Sequence, residues 1–370
     1  MAARRLRRLT ERTDRVILVE QDPIFRFAPS FLWAMTGARR PAQITRDLRR
    51  LRAGGIEVLH AEVTSIDPAN RQVVTTNGTL TADALVIALG AALDPGAVPG
   101  FAGGAHNLYS LEGAVAAGDA VRAIESGSVS VLVSATPFKC PAAPYEAAFL
   151  VDGMLRRARS RDRIRVDVHT PEGLPMLTAG AAIGEALVGM LHARDIGFHP
   201  GRTVDHIDHG GDQRVLTFTD GTEHGTDVLL GVPAHRPPRV VGESHLASPG
   251  GYIPVDRHAL TLGSPGVYAI GDVTAIAIAG GKLLPKAGIF AEAEATIVAR
   301  RIAAEWQGRT QRATFDGAGA CFVELGDGTS AYAKGDFFAA DGPAVRMRRP
   351  GRRWHLAKVA FEQYWLRRWL

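Results

Sequence analysis

The alternation of apolar and polar positions begins to carry information at residue 14. Asp14-Arg15-Val16-Ile17-Leu18-Val19-Glu20 is a compact apolar strand that ends in an acid. Ahead of it, Ala2 to Glu11 is Arg-rich and amphipathic. Such a start also has the composition of a mitochondrial transit peptide, but the strand that follows favours a folded element. A helix feeding a strand that ends in Glu is the second half of a nucleotide-binding βαβ unit. There the acid binds ribose hydroxyls, about 20 residues after a glycine fingerprint. The fingerprint and its strand do not precede Ala2, so residue 1 is expected to fall inside the first helix of that unit.

Two later stretches share one order of elements. Gly55 to Val58, Val63 to Asp67, a Thr-Asn-Gly turn and Ala82 to Gly90 read as a short strand, a hairpin and a buried strand. Ile196 to His199, Val204 to Asp208, a Thr-Asp-Gly turn and Thr226 to Gly231 repeat that order. Asn-Gly and Asp-Gly supply the positive φ that tight hairpins need. Each copy follows a strand–helix–strand pattern, with Val129 to Ser134 and Ile164 to His169 as the strands of the second. This predicts two similar α/β domains. The chain then returns with Gly266-Val267-Tyr268-Ala269-Ile270-Gly271-Asp272, a strand ending in Gly-Asp, and an Ala/Glu-rich helix from Gly288 to Trp306. At the carboxyl end, Phe361, Trp365 and Trp369 recur at helical spacing, flanked by Arg352, Arg353, Lys358, Arg367 and Arg368. A helix of this kind either lies in a membrane interface or packs its aromatic stripe on the core.

Composition narrows the class. The chain has 370 residues, of which 46% are hydrophobic and 22% charged, as in an ordinary folded protein. Two cysteines cannot staple a fold of this size, so they are inert thiols or a pair kept for chemistry. A net charge of +5 is too mild to predict nucleic-acid binding. No apolar run reaches the roughly 18–20 residues of a transmembrane helix. The 12 histidines are scattered, and no metal site is expected.

Taken together these pieces resemble the two-dinucleotide-domain flavoproteins, and within them the sulfide:quinone oxidoreductase and flavocytochrome c sulfide dehydrogenase group. The most specific parts are Pro137-Phe138-Lys139-Cys140-Pro141-Ala142-Ala143-Pro144-Tyr145-Glu146, Leu284-Pro285-Lys286-Ala287-Gly288 and Gly319-Ala320-Cys321-Phe322-Val323-Glu324. The resemblance implies an α/β fold of two Rossmann-like, glutathione-reductase-type three-layer domains plus a C-terminal segment. The FAD domain would be 1–110 and 246–310, the second dinucleotide fold 111–245, and the redox and membrane or acceptor segment 311–370. It implies FAD as cofactor, bound by Glu20, Val63, Gly90, Gly271, Asp272 and Lys286. Lys286 would stabilise negative charge on the reduced isoalloxazine. One departure is informative. After strand Val129 to Ser134, where an NADH-using relative carries a second glycine fingerprint, this chain reads Ala135-Thr136-Pro137-Phe138-Lys139-Cys140-Pro141. Prolines and side chains there block close approach to a pyrophosphate, which argues against NADH as donor.

By the same resemblance Cys140 and Cys321 are the redox pair. Hydrosulfide would attack their disulfide, leaving a persulfide on Cys140 and a Cys321 thiolate that reduces the flavin. A helix start near Pro144 and the charge of Lys139 are expected to lower the Cys140 pKa. Glu146 would either shuttle a proton or complement the helix dipole. His199 sits at a typical family histidine position and reads as structural. Many relatives use a third cysteine; this chain has none, so the sulfur-release step is unassigned. The partners implied are sulfide or a related small sulfur donor, a quinone flanked by Phe337 and Phe338, and a membrane surface. The cytoplasmic side is favoured over the periplasmic one, and a homo-oligomer is compatible. An alternative passes electrons to cytochrome c. A non-enzymatic alternative is a flavin-free remnant or binding protein.

Overall fold

A computed structural model describes residues 1–370 except Asp212. The second half of the molecule contains the more continuous parallel sheet. Five parallel strands run in the spatial order His106–Asn107, Val228–Val232, Gly127–Val133, Ile164–His169 and Ile196–His199. After its first residue the central strand Gly127–Val133 is buried throughout, as expected of a parallel sheet covered on both faces. Helix Ala143–Ala158 covers one face. Every residue from Pro144 to Leu155 is buried, so this helix has no solvent face over most of its length.

The first half has the same plan with a discontinuity. Ile17–Glu20 pairs in parallel with Glu57–His60, and Leu85–Ile87 pairs in parallel with Val267–Ala269. Among the described residues these are two separate two-stranded ladders with no hydrogen-bonded strand joining them. All four residues of Ile17–Glu20 stay half-buried, whereas the second half's central strand is closed. The first helix, Ala2–Leu9, packs on the long helix Gly288–Trp306. The latter buries Phe290, Glu294, Ala295, Val298, Ala299, Ile302 and Ala303, which is the stripe of a 3.6-residue period.

The internal repeat extends to its irregularities. In the first hairpin sheet the register slips between Val63 and Ser65; in the second it slips between Val204 and His206. A bulge at the matching place in each copy is a stronger likeness than element order alone. Gly78 and Gly221 take φ of +114° and +79° at the two turns, which the Asn-Gly and Asp-Gly pairs anticipate. A short antiparallel pair, Ala92–Asp94 with Ala234–Arg236, ties the two halves together.

The chain ends in a three-stranded meander, Ala318–Glu324, Ser330–Asp336 and Ala344–Gly351, followed by helix Arg352–Trp369. The aromatic stripe of this helix is part of the core. Trp369 is 2% exposed, Trp365 stacks on Phe25 at 5.2 Å, and Phe361 lies against Phe27. The stripe is therefore not a lipid-facing surface. Lys358, read from sequence as one of its flanking cations, is buried too. The outward row is a different one: Arg353, Leu356, Ala360, Tyr364 and Arg367.

Candidate active site

Cys140 occupies the turn between strand Gly127–Val133 and helix Ala143–Ala158. It has φ +51°, in the left-handed region. Three hydrogen bonds to its main chain hold it there. Its amide donates to the Lys286 carbonyl at 2.7 Å, and its carbonyl accepts from the Ala143 amide at 2.9 Å and the Tyr109 hydroxyl at 3.2 Å. Thus the two family-like turns, around Cys140 and around Lys286, are joined directly. Phe138 is buried against Val133 and Val232 and fills space that a phosphate-binding turn leaves open.

Cys321 comes from the first strand of the C-terminal meander, and its thiol donates to the Phe322 carbonyl at 3.3 Å. Both cysteines are free; Cys140 is exposed and Cys321 half-buried. They lie close enough that charge on Cys140 raises the Cys321 pKa. Burial pushes the Cys140 thiol up to about 12, helped by the Glu146 carboxylate and opposed by Lys358. Because Cys140 also reaches solvent, water offsets part of that desolvation. The direction corrects the expectation of a lowered pKa. The helix start and Lys139 do not outweigh the dense protein and the carboxylate around the sulfur.

Glu146 and Lys358 form an ion pair and are both buried. Burial raises the Glu146 pKa, and Lys358 partly offsets it. Burial also opposes the Lys358 charge, but the Glu146 and Glu324 carboxylates outweigh it and hold that ammonium above its usual pKa. Glu324 in turn accepts from Ser330 at 2.6 Å and meets His355 at 2.8 Å. The Lys358 ammonium also sits 4.9 Å from the Trp33 ring centre. One buried polar network therefore joins the helix after Cys140, the strand of Cys321 and the last helix. Sequence reasoning missed Lys358. A signal existed: it is the one lysine after Lys334 in a segment whose other cations are arginines. A compact ammonium is better suited than a guanidinium to tuning a nearby proton.

On the Lys286 side, a small cleft is lined by Gly271, Asp272, Thr274, Leu284, Lys286 and Phe290, among others. Lys286 is buried and donates to the Asp272 carbonyl at 2.7 Å and the Thr274 carbonyl at 3.2 Å. Its ammonium lies 3.3 Å from the Tyr252 ring centre, and burial lowers its pKa to about 8. Burial raises Asp272, against the lowering effect of Lys139 and Lys286. The Gly271 amide donates to Glu294 at 2.5 Å. Burial pushes Glu294 up to about 7.

These groups fit the ring and ribityl end of a flavin. A buried ammonium and a half-buried carboxylate, Lys286 and Asp272, stand at the end of a parallel strand. The Tyr252 hydroxyl is buried without a partner, and Gly90 has φ +70° with open space where a Cβ would stand. Leu89 and Leu283 are exposed. The diphosphate end has no glycine-rich turn among the described residues. Glu20 is half-buried at its strand end, and its carboxylate accepts from the Asp22 amide at 3.1 Å.

Other expected site residues lie elsewhere. Val63 packs on the cluster of Ile66, Ile87 and Val241 in the first hairpin. Phe337 is buried edge-on against Phe290 at 5.0 Å, and Phe338 packs on Phe315 and His258. Both belong to an aromatic cluster beside the Lys286 cleft rather than in its lining. Phe290 forms the cleft wall, with Phe337 packed behind it. His199 stacks on the buried His169 at 4.4 Å and meets Asp167 at 3.0 Å. Among the described residues no group of histidines, cysteines or acids is arranged to hold a metal.

A sequence profile for the pyridine nucleotide-disulphide oxidoreductase family matches residues 1–133 and 147–308. The chain belongs to that family. Within it, the chain is similar to sulfide:quinone oxidoreductases. It is 25% identical to the mitochondrial enzyme of Schizosaccharomyces pombe over 315 residues, which is 80% of this chain and 66% of the relative. It is 25% identical to that of Dictyostelium discoideum over 281 residues, 70% of this chain and 59% of the relative. The chain thus spans less than two thirds of either relative's length. The fold is that of the sulfide:quinone oxidoreductase of Aquifex aeolicus, with a TM-score of 0.86 at 22% identity, covering 99% of this chain and 87% of the other. The NAD-dependent persulfide reductase of A. fulgidus shares it with a TM-score of 0.69 at 19% identity, covering 90% and 61%.

Proposed function

We propose that this oxidoreductase uses FAD to oxidise sulfide, or a related small sulfur donor, through Cys140 and Cys321, and passes the electrons to a membrane quinone. The observation that carries the reading is convergence: two free cysteines from distant segments share one buried Glu146–Lys358 network beside the Lys286 cleft. In the oxidised protein, hydrosulfide attacks the Cys140 sulfur of a Cys140–Cys321 disulfide. The S–S bond breaks, Cys140 keeps the new sulfur as a persulfide, and Cys321 leaves as thiolate. Lys358 lowers the pKa of both thiols and so stabilises that thiolate against the desolvation that opposes it. Glu146, hydrogen-bonded to Lys358, holds or releases the proton that accompanies each change of sulfur charge. Bound FAD would supply a two-electron acceptor. Lys286 and Asp272 would hold its ring and ribityl end.

The turn after strand Gly127–Val133, filled by Phe138, supports a donor other than NADH. Among the described residues no helix is long and apolar enough to cross a membrane. The outward row of the last helix, with Leu356 64% and Tyr364 54% exposed between Arg353 and Arg367, supports attachment to a membrane surface. The test is a visible spectrum of the purified chain, loaded with FAD, before and after anaerobic addition of sulfide. Bleaching of the flavin band that disappears in both Cys140→Ser and Cys321→Ser supports the reading. A flavin that binds but is not bleached by sulfide refutes it.

A further inference from the structure

The first helix, Ala2–Leu9, has no part in the chemistry above, yet it carries Arg4, Arg5, Arg7 and Arg8. Arg7 donates to nearby carbonyls, those of Thr10, Glu11 and Asp14. The other three reach the last helix, Arg352–Trp369. The Arg4 guanidinium donates to the Arg368 carbonyl at 3.0 Å. The guanidinium carbons of Arg5 and Arg8 lie 5.0 and 5.9 Å from the centre of the Trp369 ring. Arg368 lies over the same ring at 5.3 Å and over the Tyr364 ring at 5.6 Å. Between the two helices is an open cleft of about 620 Å³, lined by Arg4, Arg8, Arg367 and Arg368 with Ala360 and Tyr364. Among the described residues no carboxylate lines it.

Elsewhere arginines of this chain find acids: Arg15 pairs with Glu57, Arg39 with Glu362 and Arg194 with Asp327. Around the cleft they do not. Among the described residues Arg4, Arg5, Arg8, Arg367 and Arg368 form no ion pair, and the buried Nε atoms of Arg5 and Arg368 have no hydrogen-bond partner. Burial first, and the Arg8 charge second, lower the Arg4 pKa. Burial, Arg368 and Arg300 lower that of Arg5, against weaker opposition from Tyr364 and Glu292. The cations repel one another, and an anion in the cleft would relieve that repulsion. The cleft is also continuous with the outward row of the last helix, because Ala360, Tyr364 and Arg367 belong to both. A soluble phosphate needs only the cations. A lipid headgroup uses cations beside exposed apolar side chains, and this end of the molecule offers both.

We propose that the cleft between the first and last helices holds the headgroup phosphate of an anionic phospholipid, gripped by Arg4 and Arg8 from one helix and Arg367 and Arg368 from the other. Guanidinium forks match phosphate oxygens with paired hydrogen bonds, which a compact ammonium cannot make. The inference rests on the membrane-attachment part of the reading above and names the lipid class that this attachment selects.

The test needs neither flavin nor sulfide. Cosedimentation compares phosphatidylcholine vesicles with and without phosphatidylglycerol, and the parent should bind the mixed vesicles more tightly. Arg4→Gln with Arg8→Gln should lower affinity for the mixed vesicles about thirtyfold, the effect of two arginines at an anionic surface. Arg8→Gln with Arg367→Gln, both exposed, should do the same without touching the half-buried Arg4. Two exposed arginines outside the cleft serve as the charge control: Arg159→Gln with Arg163→Gln should change affinity less than about twofold. Arg4→Lys with Arg8→Lys should recover only part of the loss. Equal losses in cleft and control pairs overturn the site, as does full recovery by lysine. Calorimetric binding of inorganic phosphate that needs Arg4 and Arg8, with no dependence of vesicle binding on phosphatidylglycerol, overturns the lipid assignment in favour of a soluble phosphate. If the cleft fails while Leu356→Ser still weakens vesicle binding, only the headgroup site is lost. If the parent binds neither kind of vesicle, the membrane reading is lost with it.

Discussion

The amide of Cys140 donates to the carbonyl of Lys286 at 2.7 Å. That single backbone bond fastens the thiol-bearing turn after strand Gly127–Val133 to the lysine turn before helix Gly288–Trp306. The lysine side chain points the other way, to the Asp272 and Thr274 carbonyls. The turns that carry Cys140 and Lys286 are therefore joined by main chain rather than by side-chain contact. Side-chain substitutions at either position should change chemistry before they change fold.

Cys140→Ser and Cys321→Ser are each expected to keep the far-UV spectrum and unfolding midpoint of the parent. The rate of flavin bleaching by sulfide should fall at least about a hundredfold in each, because loss of a covalent nucleophile or its partner removes the route rather than slowing it. Stopped-flow absorbance measures this directly. Bleaching that persists in either variant removes the pair from the mechanism.

The Glu146–Lys358 pair should be costly to break and cheap to replace. Lys358→Met leaves a buried carboxylate without its cation and should destabilise the chain by about 3–5 kcal/mol in urea unfolding. A Glu146→Leu, Lys358→Met double substitution should recover most of that loss. The same pair sets the thiol: Glu146→Gln should lower the pH midpoint of Cys140 alkylation, because it removes a charge that raises the Cys140 pKa. A midpoint that moves upward contradicts the electrostatic assignment.

Acid should weaken the fold through buried histidines. Burial lowers His169 to about 3 and His235 to about 4, against an unfolded value of 6.5. Each folded pKa lies below the unfolded one, so the unfolded chain takes up protons first as pH falls. Stability is fully present above 6.5 and declines as pH drops from there toward the folded values. Each residue should account for about 1–3 kcal/mol between neutral pH and pH 4. Urea midpoints across that range check this, and His169→Phe, which keeps a ring against His199 and Phe218, should flatten the slope.

The last helix separates packing from attachment. Trp369→Ala should cost about 3–5 kcal/mol, the range for emptying a buried aromatic site, and the half-buried Trp365→Ala less. Leu356→Ser and Tyr364→Ser should leave the unfolding midpoint within about 0.5 kcal/mol of the parent while reducing cosedimentation with vesicles. Vesicle binding that depends on Trp369 but not on Leu356 would reverse the assignment of faces.

Local pattern was a good guide wherever one segment decides the outcome. Glycines at the hairpin turns, the acid closing strand Ile17–Glu20 and the stripe of helix Gly288–Trp306 are all fixed by neighbours a few residues away. The last helix shows the limit. Its period was legible, but period gives a face and not what that face meets. Phe25 and Phe27, from near the other end of the chain, cover the tryptophan stripe.

The sequence by itself determined the α/β order, the repeated plan and the two cysteine-bearing motifs, because strand and helix periods, turn residues and motif spacing act over short range. Only the tertiary structure decided the surroundings of those motifs. It set Lys358 against Glu146, turned the Cys140 pKa upward and buried His235 with one ring nitrogen unpartnered. Burial and charge depend on which distant segments meet, and the free energy of an ion or a lone pair is fixed by that company and not by its place in the chain.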